Sequence, residues 1–227
     1  MAHIKGFSWY FWGTYTDDFD DDLHGTSAGD LIEGLGGDDN IWGGLGDDEI
    51  YGGAGNDVIM PNDADVDIVA DWGFDHVYGG AGTDSLYFVK STHMVYLNGN
   101  EGTDFINGQA GDDTLRGGDG DDEIFSGPGA DGLNGDNLFP TVNSGDDVLV
   151  GNGAGRKVMI GSPGDDRLTG GPDGDSLRDF AGNDDLRGLA GDDTFVGCGE
   201  GRDFVDGGDG VDSRGVDPQC ETVVNVP

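Results

Sequence analysis

Basic residues are scarce. Against 47 Asp and Glu there are ten Lys and Arg, so the formal net charge is -37 over 227 residues. A chain this acidic repels phosphate backbones and anionic headgroups, which excludes nucleic acid as a partner and direct docking on an anionic membrane. Long apolar runs are also missing, and none approaches the ~18 residues of a membrane-spanning helix. The N-terminal stretch carries Lys5, Phe7, Trp9, Tyr10, Phe11 and Trp12, but no aliphatic core and no small-residue cleavage site. It does not read as a secretory signal peptide. Glutamate is rare as well; the acid is nearly all aspartate. A merely solvating surface would use both acids, and helices favour Glu, whereas Asp beside Gly builds turns and hard-cation sites.

What is abundant is glycine, with 47 residues, roughly three times the usual share of about 7%. A Gly-rich, highly charged chain defaults to disorder; the order of the residues argues otherwise. Residues 43–60 read GGLGDDEIY and then GGAGNDVIM, and the same nine-residue unit returns as GGAGTDSLY (79–87), GNEGTDFIN (99–107), GQAGDDTLR (108–116) and GGDGDDEIF (117–125). It continues as GSPGDDRLT (161–169), GGPDGDSLR (170–178), DFAGNDDLR (179–187) and GLAGDDTFV (188–196), with weaker copies at 25–33, 34–42, 70–78, 126–134, 142–150, 198–206 and 207–215. The unit is G-G-x-G-x-D-x-U-x, where U is a large apolar residue.

These repeats resemble the RTX (hemolysin-type) family of calcium-binding β-roll nonapeptide repeats, over about 25–215. The first six residues of a unit form a tight turn, because glycine permits φ > 0 and lets carbonyls point inward. The last three form a short strand whose middle side chain faces in. That middle position reads Ile32, Ile41, Ile50, Ile59, Ile68, Val77, Leu86, Val95, Ile106, Leu115, Ile124, Leu133, Leu149, Leu168, Leu177, Leu186, Phe195 and Val205. The expected fold is all-β: a parallel β-roll solenoid of stacked 18-residue coils, two units to a coil. One buried aliphatic side chain per nine ordered residues does not offset chain entropy.

Electrostatics worsens the balance without metal. Like-charged Asp residues one coil apart, at ~4.8 Å and an effective dielectric of ~20, cost about 3.5 kcal/mol per pair. A divalent cation between turns reverses that sign. The candidate metal ligands are the sixth-position residues Asp30, Asp39, Asp48, Asp57, Asp75, Asp84, Asp104, Asp113, Asp122, Asp131, Asp147, Asp166, Asp175, Asp184, Asp193, Asp203 and Asp212. Spacing of 18 pairs Asp30/Asp48, Asp39/Asp57, Asp57/Asp75, Asp104/Asp122, Asp113/Asp131, Asp166/Asp184 and Asp175/Asp193; spacing of 19 pairs Asp147/Asp166, Asp184/Asp203 and Asp193/Asp212. About ten Ca²⁺ or more are expected, and ten would bring -37 to about -17. Oxygen ligands suit Ca²⁺, Mg²⁺ or Mn²⁺, and a carbonyl-rich irregular cage favours Ca²⁺.

The expected organisation is an aromatic N-terminal cap (1–24), a first block (25–134) interrupted at 61–69 and 88–98, a loop insertion (135–141), a second block (142–215) and a C-terminal cap (216–227). In PNDADVDIV (61–69), Val66 takes the ligand slot, and Asp63, Asp65 and Asp67 form either an irregular calcium site or a solvated edge. They are not an EF-hand, because Ile68 and Phe74 stand where glycine and glutamate are required. His93 takes the slot in 88–96, with Leu97 and Asn98 inserted after it, and Arg156 takes it in 151–159, its cation standing in for an ion. The aromatic segment reads as a cap over the first coil, with a sugar-stacking or self-association patch as the alternative. Cys198 and Cys220, if joined, close a loop worth ~3.4 kcal/mol in the chain-entropy model and imply an oxidising compartment; buried free thiols are the alternative.

No enzyme is expected. GTSAG (25–29) satisfies G-x-S-x-G, but it lies in frame with the repeat and lacks a strand–turn–helix context. His3, His24, His76 and His93 form no H-E-x-x-H. The expected role is calcium binding by a secreted, extracellular bacterial protein that folds on Ca²⁺. The resemblance implies type I secretion machinery as a partner. The alternatives are a binding or assembly module for polysaccharide, surface matrix or self, and an accessory calcium-binding domain serving an exported enzyme.

Overall fold

The computed structural model describes residues 3–5, 9–11, 14–16, 19–26, 28–44, 48–62, 76–82, 85–87, 95–136, 145–197, 200–214 and 222–225. Within them the chain is all strand and turn, a parallel β-solenoid. Two eleven-stranded parallel sheets face each other, and successive strands alternate between them. The first runs from His3–Lys5 through Leu31–Gly36, Glu49–Ala54 and onward to Ser213–Arg214; the second runs from Asp22–His24 through Asn40–Gly44 to Thr222–Val224. A separate antiparallel hairpin pairs Trp9–Phe11 with Thr14–Thr16. None of the described residues forms a helix long and apolar enough to cross a membrane.

The core is a double row of single side chains. Ile32, Ile50, Leu97, Leu115, Leu133, Met159, Leu177 and Phe195 line the first sheet, and Ile41, Ile59, Leu86, Ile106, Ile124, Leu149, Leu168, Leu186 and Val205 line the second; all are buried. Each three-residue strand buries its middle side chain and turns its flanks outward, as period-two geometry requires.

The register departs from the sequence expectation at three places. Ile50 pairs with Val77, and Ile59 with Leu86, so the register advances by 27 residues between these partners in place of eighteen. The expected pair of Asp57 with Asp75 therefore reaches beyond the described residues. Asp75, Asp84, Ile68, Asp63, Asp65 and Asp67 lie outside the described residues. Second, Leu97 pairs with Leu115, which puts Leu97, not Val95, in the ladder. Third, Met159 pairs with Leu133 and Leu177, which moves the frame of that unit one residue past Arg156. His93, Ser27, Cys198 and Cys220 lie outside the described residues.

Candidate metal centres between the coils

Each sixth-position residue immediately precedes a strand, so these residues form two columns, one beside each sheet. Nine of the ten expected pairs meet by a single recurring hydrogen bond. The backbone N–H of an aspartate donates to Oδ1 of the aspartate in the next coil: Asp30 to Asp48 at 2.8 Å, Asp39 to Asp57 at 2.9 Å, Asp104 to Asp122 at 2.9 Å and Asp113 to Asp131 at 3.0 Å. The series continues with Asp147 to Asp166, Asp166 to Asp184, Asp175 to Asp193, Asp184 to Asp203 and Asp193 to Asp212. Across the insertion the spacing grows to 25, and Asp122 donates to Asp147 at 2.9 Å. One carboxylate oxygen is thus committed to ordering the neighbouring turn.

The other oxygen points somewhere else. A Cβ placed on the first glycine of a unit would run into Oδ2 of that unit's aspartate and into a backbone carbonyl of the next coil. Gly117 meets Asp122 Oδ2 and the Gly135 carbonyl, Gly188 meets Asp193 Oδ2 and the Gly207 carbonyl, and Gly108 meets Asp113 Oδ2 at 2.6 Å and the Ser126 carbonyl at 3.0 Å. Between consecutive coils there is therefore a cradle of inward-facing oxygens. Oδ2 of Asp113, Asp122, Asp147, Asp166, Asp184, Asp193 and Asp212 is buried and receives no hydrogen bond. An acceptor-only carboxylate buried without a donor is costly. Burial, reinforced by neighbouring aspartates, pushes Asp113 and Asp184 up to about 7, Asp122 and Asp166 to about 8, Asp147 to about 9 and Asp193 to about 6. Carboxylate plus carbonyl, with no nitrogen or sulfur donor among them, fits a hard cation with flexible coordination, above all Ca²⁺.

Two cradles are closed by the protein itself. Thr26 N–H donates to Asp30 Oδ2 at 2.5 Å, and Gly171 N–H to Asp175 Oδ2 at 2.6 Å. At a third, the slot assigned to Arg156 belongs to Lys157, whose N–H donates to Asp175 Oδ1 at 2.7 Å. Its side chain is fully buried, with Nζ 3.2 Å from Asp131 Oδ2 and 2.7 Å from the Gly129 carbonyl. The ammonium meets a carboxylate Oδ2 and a backbone carbonyl, the same pair of oxygens that faces each other in the other cradles. Val95 holds the slot expected for His93, and its N–H donates to Asp113 Oδ1.

Three features lie beyond the sequence reading. Asp21 extends the column N-terminally, donating to Asp39 Oδ1 at 2.8 Å. Fifth-position residues make a second, exposed ladder in the opposite sense: Asn56 N–H donates to Asp38, Ala130 to Asp112 and Asn183 to Asp165. The GDD pairs of the repeat were the available signal. Asp136 and Asp179 are buried at turn positions normally held by glycine; burial and Asp119 raise Asp136 to about 7, and burial followed by Asp166 raises Asp179 to about 10.

With this geometry in place, comparison with known families is direct. The model of the RTX calcium-binding nonapeptide repeat (4 copies) matches residues 15–48, 24–59, 68–88, 98–133 and 160–195, which together span more than half of the chain. No curated protein matches it.

Proposed function

Because the chain belongs to the family of RTX calcium-binding nonapeptide repeat proteins, we propose that it is a secreted, extracellular calcium-binding β-roll that folds as Ca²⁺ enters its cradles and has no catalytic activity. The observation that carries this reading is the recurring aspartate Oδ2, buried, without a donor, and facing a carbonyl of the next coil. Bound Ca²⁺ would supply the positive charge that ties the two coils together. The chain's own part is to hold Oδ1 on a backbone donor, so that Oδ2 is already aimed, and to keep the first-position residue small. About ten ions are proposed, on the sixth-position aspartates named above, with Asp131 excepted because Lys157 neutralises it and Asp30 and Asp175 excepted because a backbone N–H already holds Oδ2.

Low cytosolic calcium would leave the chain too acidic to fold, and external calcium would then fold it, which suits export through a type I system. A disulfide between Cys198 and Cys220 closing the C-terminal cap belongs to the same proposal. Equilibrium dialysis of the stripped full chain against Ca²⁺ and Mg²⁺ tests it. Several Ca²⁺ per chain, retained against excess Mg²⁺, is the expected result; uptake of one ion or none would reject it.

A second reading, an extracellular binding or assembly module, is favoured by the aromatic rows on the outer faces. Tyr51 and Tyr78 stack at 5.0 Å on the first sheet with Tyr96 beside them, and His24 stacks on Trp42 at 4.4 Å on the second. Retention on immobilised polysaccharide, or sedimentation that depends on concentration, would select this module over a purely calcium-folded role.

A further inference from the structure

Unit 179–187 reads DFAGNDDLR, with aspartate where the repeat places its first glycine. Asp179 continues a column of Gly117, Gly135 and Gly161, in which any side chain is directed into the cradle. Here the cradle receives a carboxylate. A Cβ on Gly161 would meet Asp179 Oδ2 and, at 2.6 Å, Asp166 Oδ2. Carboxylate oxygens of Asp166, Asp179 and Asp184 all lie within 4.8 Å of one another. Each of the three residues is 2% exposed, and Oδ2 of each receives no hydrogen bond. Asp179 Oδ1 accepts the Phe180 N–H, at 2.6 Å. Among the described residues, the ion pairs of Arg167 and Arg187 go to Asp185 and that of Lys157 goes to Asp131, so no basic side chain reaches the cluster.

We propose that Asp166, Asp179 and Asp184 form a three-carboxylate cation site, outside the repeat pattern, that binds Ca²⁺ more tightly than the regular cradles. A regular cradle has its own aspartate, the stacked aspartate of the next coil and backbone carbonyls, whereas here Asp179 adds a third carboxylate to the Asp166/Asp184 pair. Calcium affinity in oxygen cages rises with the number of charged ligands. The site would be the last to empty as calcium falls, and so would keep the coils around Arg167–Thr169 and Asp185–Arg187 joined when the others open. The inference rests on the calcium reading of the repeat for the identity of the ion, and on Asp179 alone for the difference in affinity.

The test is a calcium titration of the full chain in the presence of a competing chelator, for wild type, Asp179→Gly, Asp179→Asn and Asp113→Ala. Asp179→Gly restores the residue used by the repeat, and circular dichroism in saturating calcium verifies that each variant folds. Wild type is expected to show one ion bound about tenfold or more tighter than the rest. Both Asp179 variants should lose that ion's advantage and keep the weaker class, while Asp113→Ala should lose a weak ion and keep the tight one. Ordinary calcium binding with Asp179 variants indistinguishable from wild type would overturn this inference alone, the cluster then holding a proton in place of a metal. No calcium uptake by wild type would overturn the reading of the repeat as well.

Discussion

An aspartate in this protein has two oxygens with two duties. Oδ1 is satisfied by a backbone N–H of the adjacent coil, and Oδ2 is buried facing a carbonyl. Such a group needs a positive partner, which among the described residues the chain provides once by itself. Lys157 Nζ sits 3.2 Å from Asp131 and 2.7 Å from a carbonyl, reproducing with an ammonium the oxygen set that a cation would meet. Replacing it by the residue of the repeat, Lys157→Asp, removes one partner of a buried pair, a loss of about 3–5 kcal/mol. At one fixed, subsaturating calcium concentration Lys157→Asp should accordingly unfold at lower denaturant than wild type. In saturating calcium it should bind one additional ion and recover most of the difference. Equal stability of the two proteins at the subsaturating concentration would show that Lys157 does not neutralise Asp131.

At the level of the turn and its strand, the first position is reserved for glycine by the cradle more than by backbone conformation. The second position tolerates left-handed side chains, as Leu35 (φ 83) and Leu189 (φ 74) show. Gly117→Ala should therefore drop one calcium, because its methyl would occupy the space between Asp122 Oδ2 and the Gly135 carbonyl. Gly132→Ala, in a strand with open space around the added methyl, should be neutral or stabilise by up to about 1 kcal/mol. Calcium stoichiometry and thermal midpoints of the two variants check this contrast, and equal ion counts would refute it.

Where the repeat keeps its glycines and its aspartate, spacing alone revealed the register, including the 19-residue steps at Asp166, Asp203 and Asp212. It was obscured where composition permits two frames. In MVYL, Val95 and Leu97 are both buried and two residues apart, so period-two alternation cannot tell which is hydrogen-bonded as the strand centre. Arg156 and Lys157 are adjacent cations, and only the bond from Lys157 N–H to Asp175 separates them. PNDADVDIV keeps an apolar residue in phase and so passes for a unit, although the ladder goes from Ile59 directly to Leu86. DFAGNDDLR passes for one more copy of the unit, because the meaning of Asp179 comes from Asp166 and Asp184 in neighbouring coils.

Across the whole molecule these local arrangements add up to a stack whose sheets place like charges one above another. The carboxyls of Asp113, Asp122, Asp147, Asp166, Asp184 and Asp193 are held between about 6 and 9 in the folded state, above their ordinary 3.8. A raised carboxyl favours the fold while protonated, and that contribution is lost as pH rises through the folded value. Without calcium, strand content should be greater at pH 5 than at pH 9, the loss of stability beginning above the ordinary value of 3.8 and being complete by about 9. With calcium the trend reverses, since protons compete with the ion for Oδ2. Far-UV circular dichroism of the stripped protein across that range would contradict the assignment if the signal rose with pH.

The central claim is that cations hold successive coils together, and one titration reaches it most directly: far-UV circular dichroism of the calcium-stripped full chain at pH 7.5 as Ca²⁺, or Mg²⁺ in parallel, is added. A cooperative gain of strand signal with Ca²⁺, reversed by chelator and absent with Mg²⁺, is the predicted result. A spectrum already rich in strand and unchanged by either ion would contradict it.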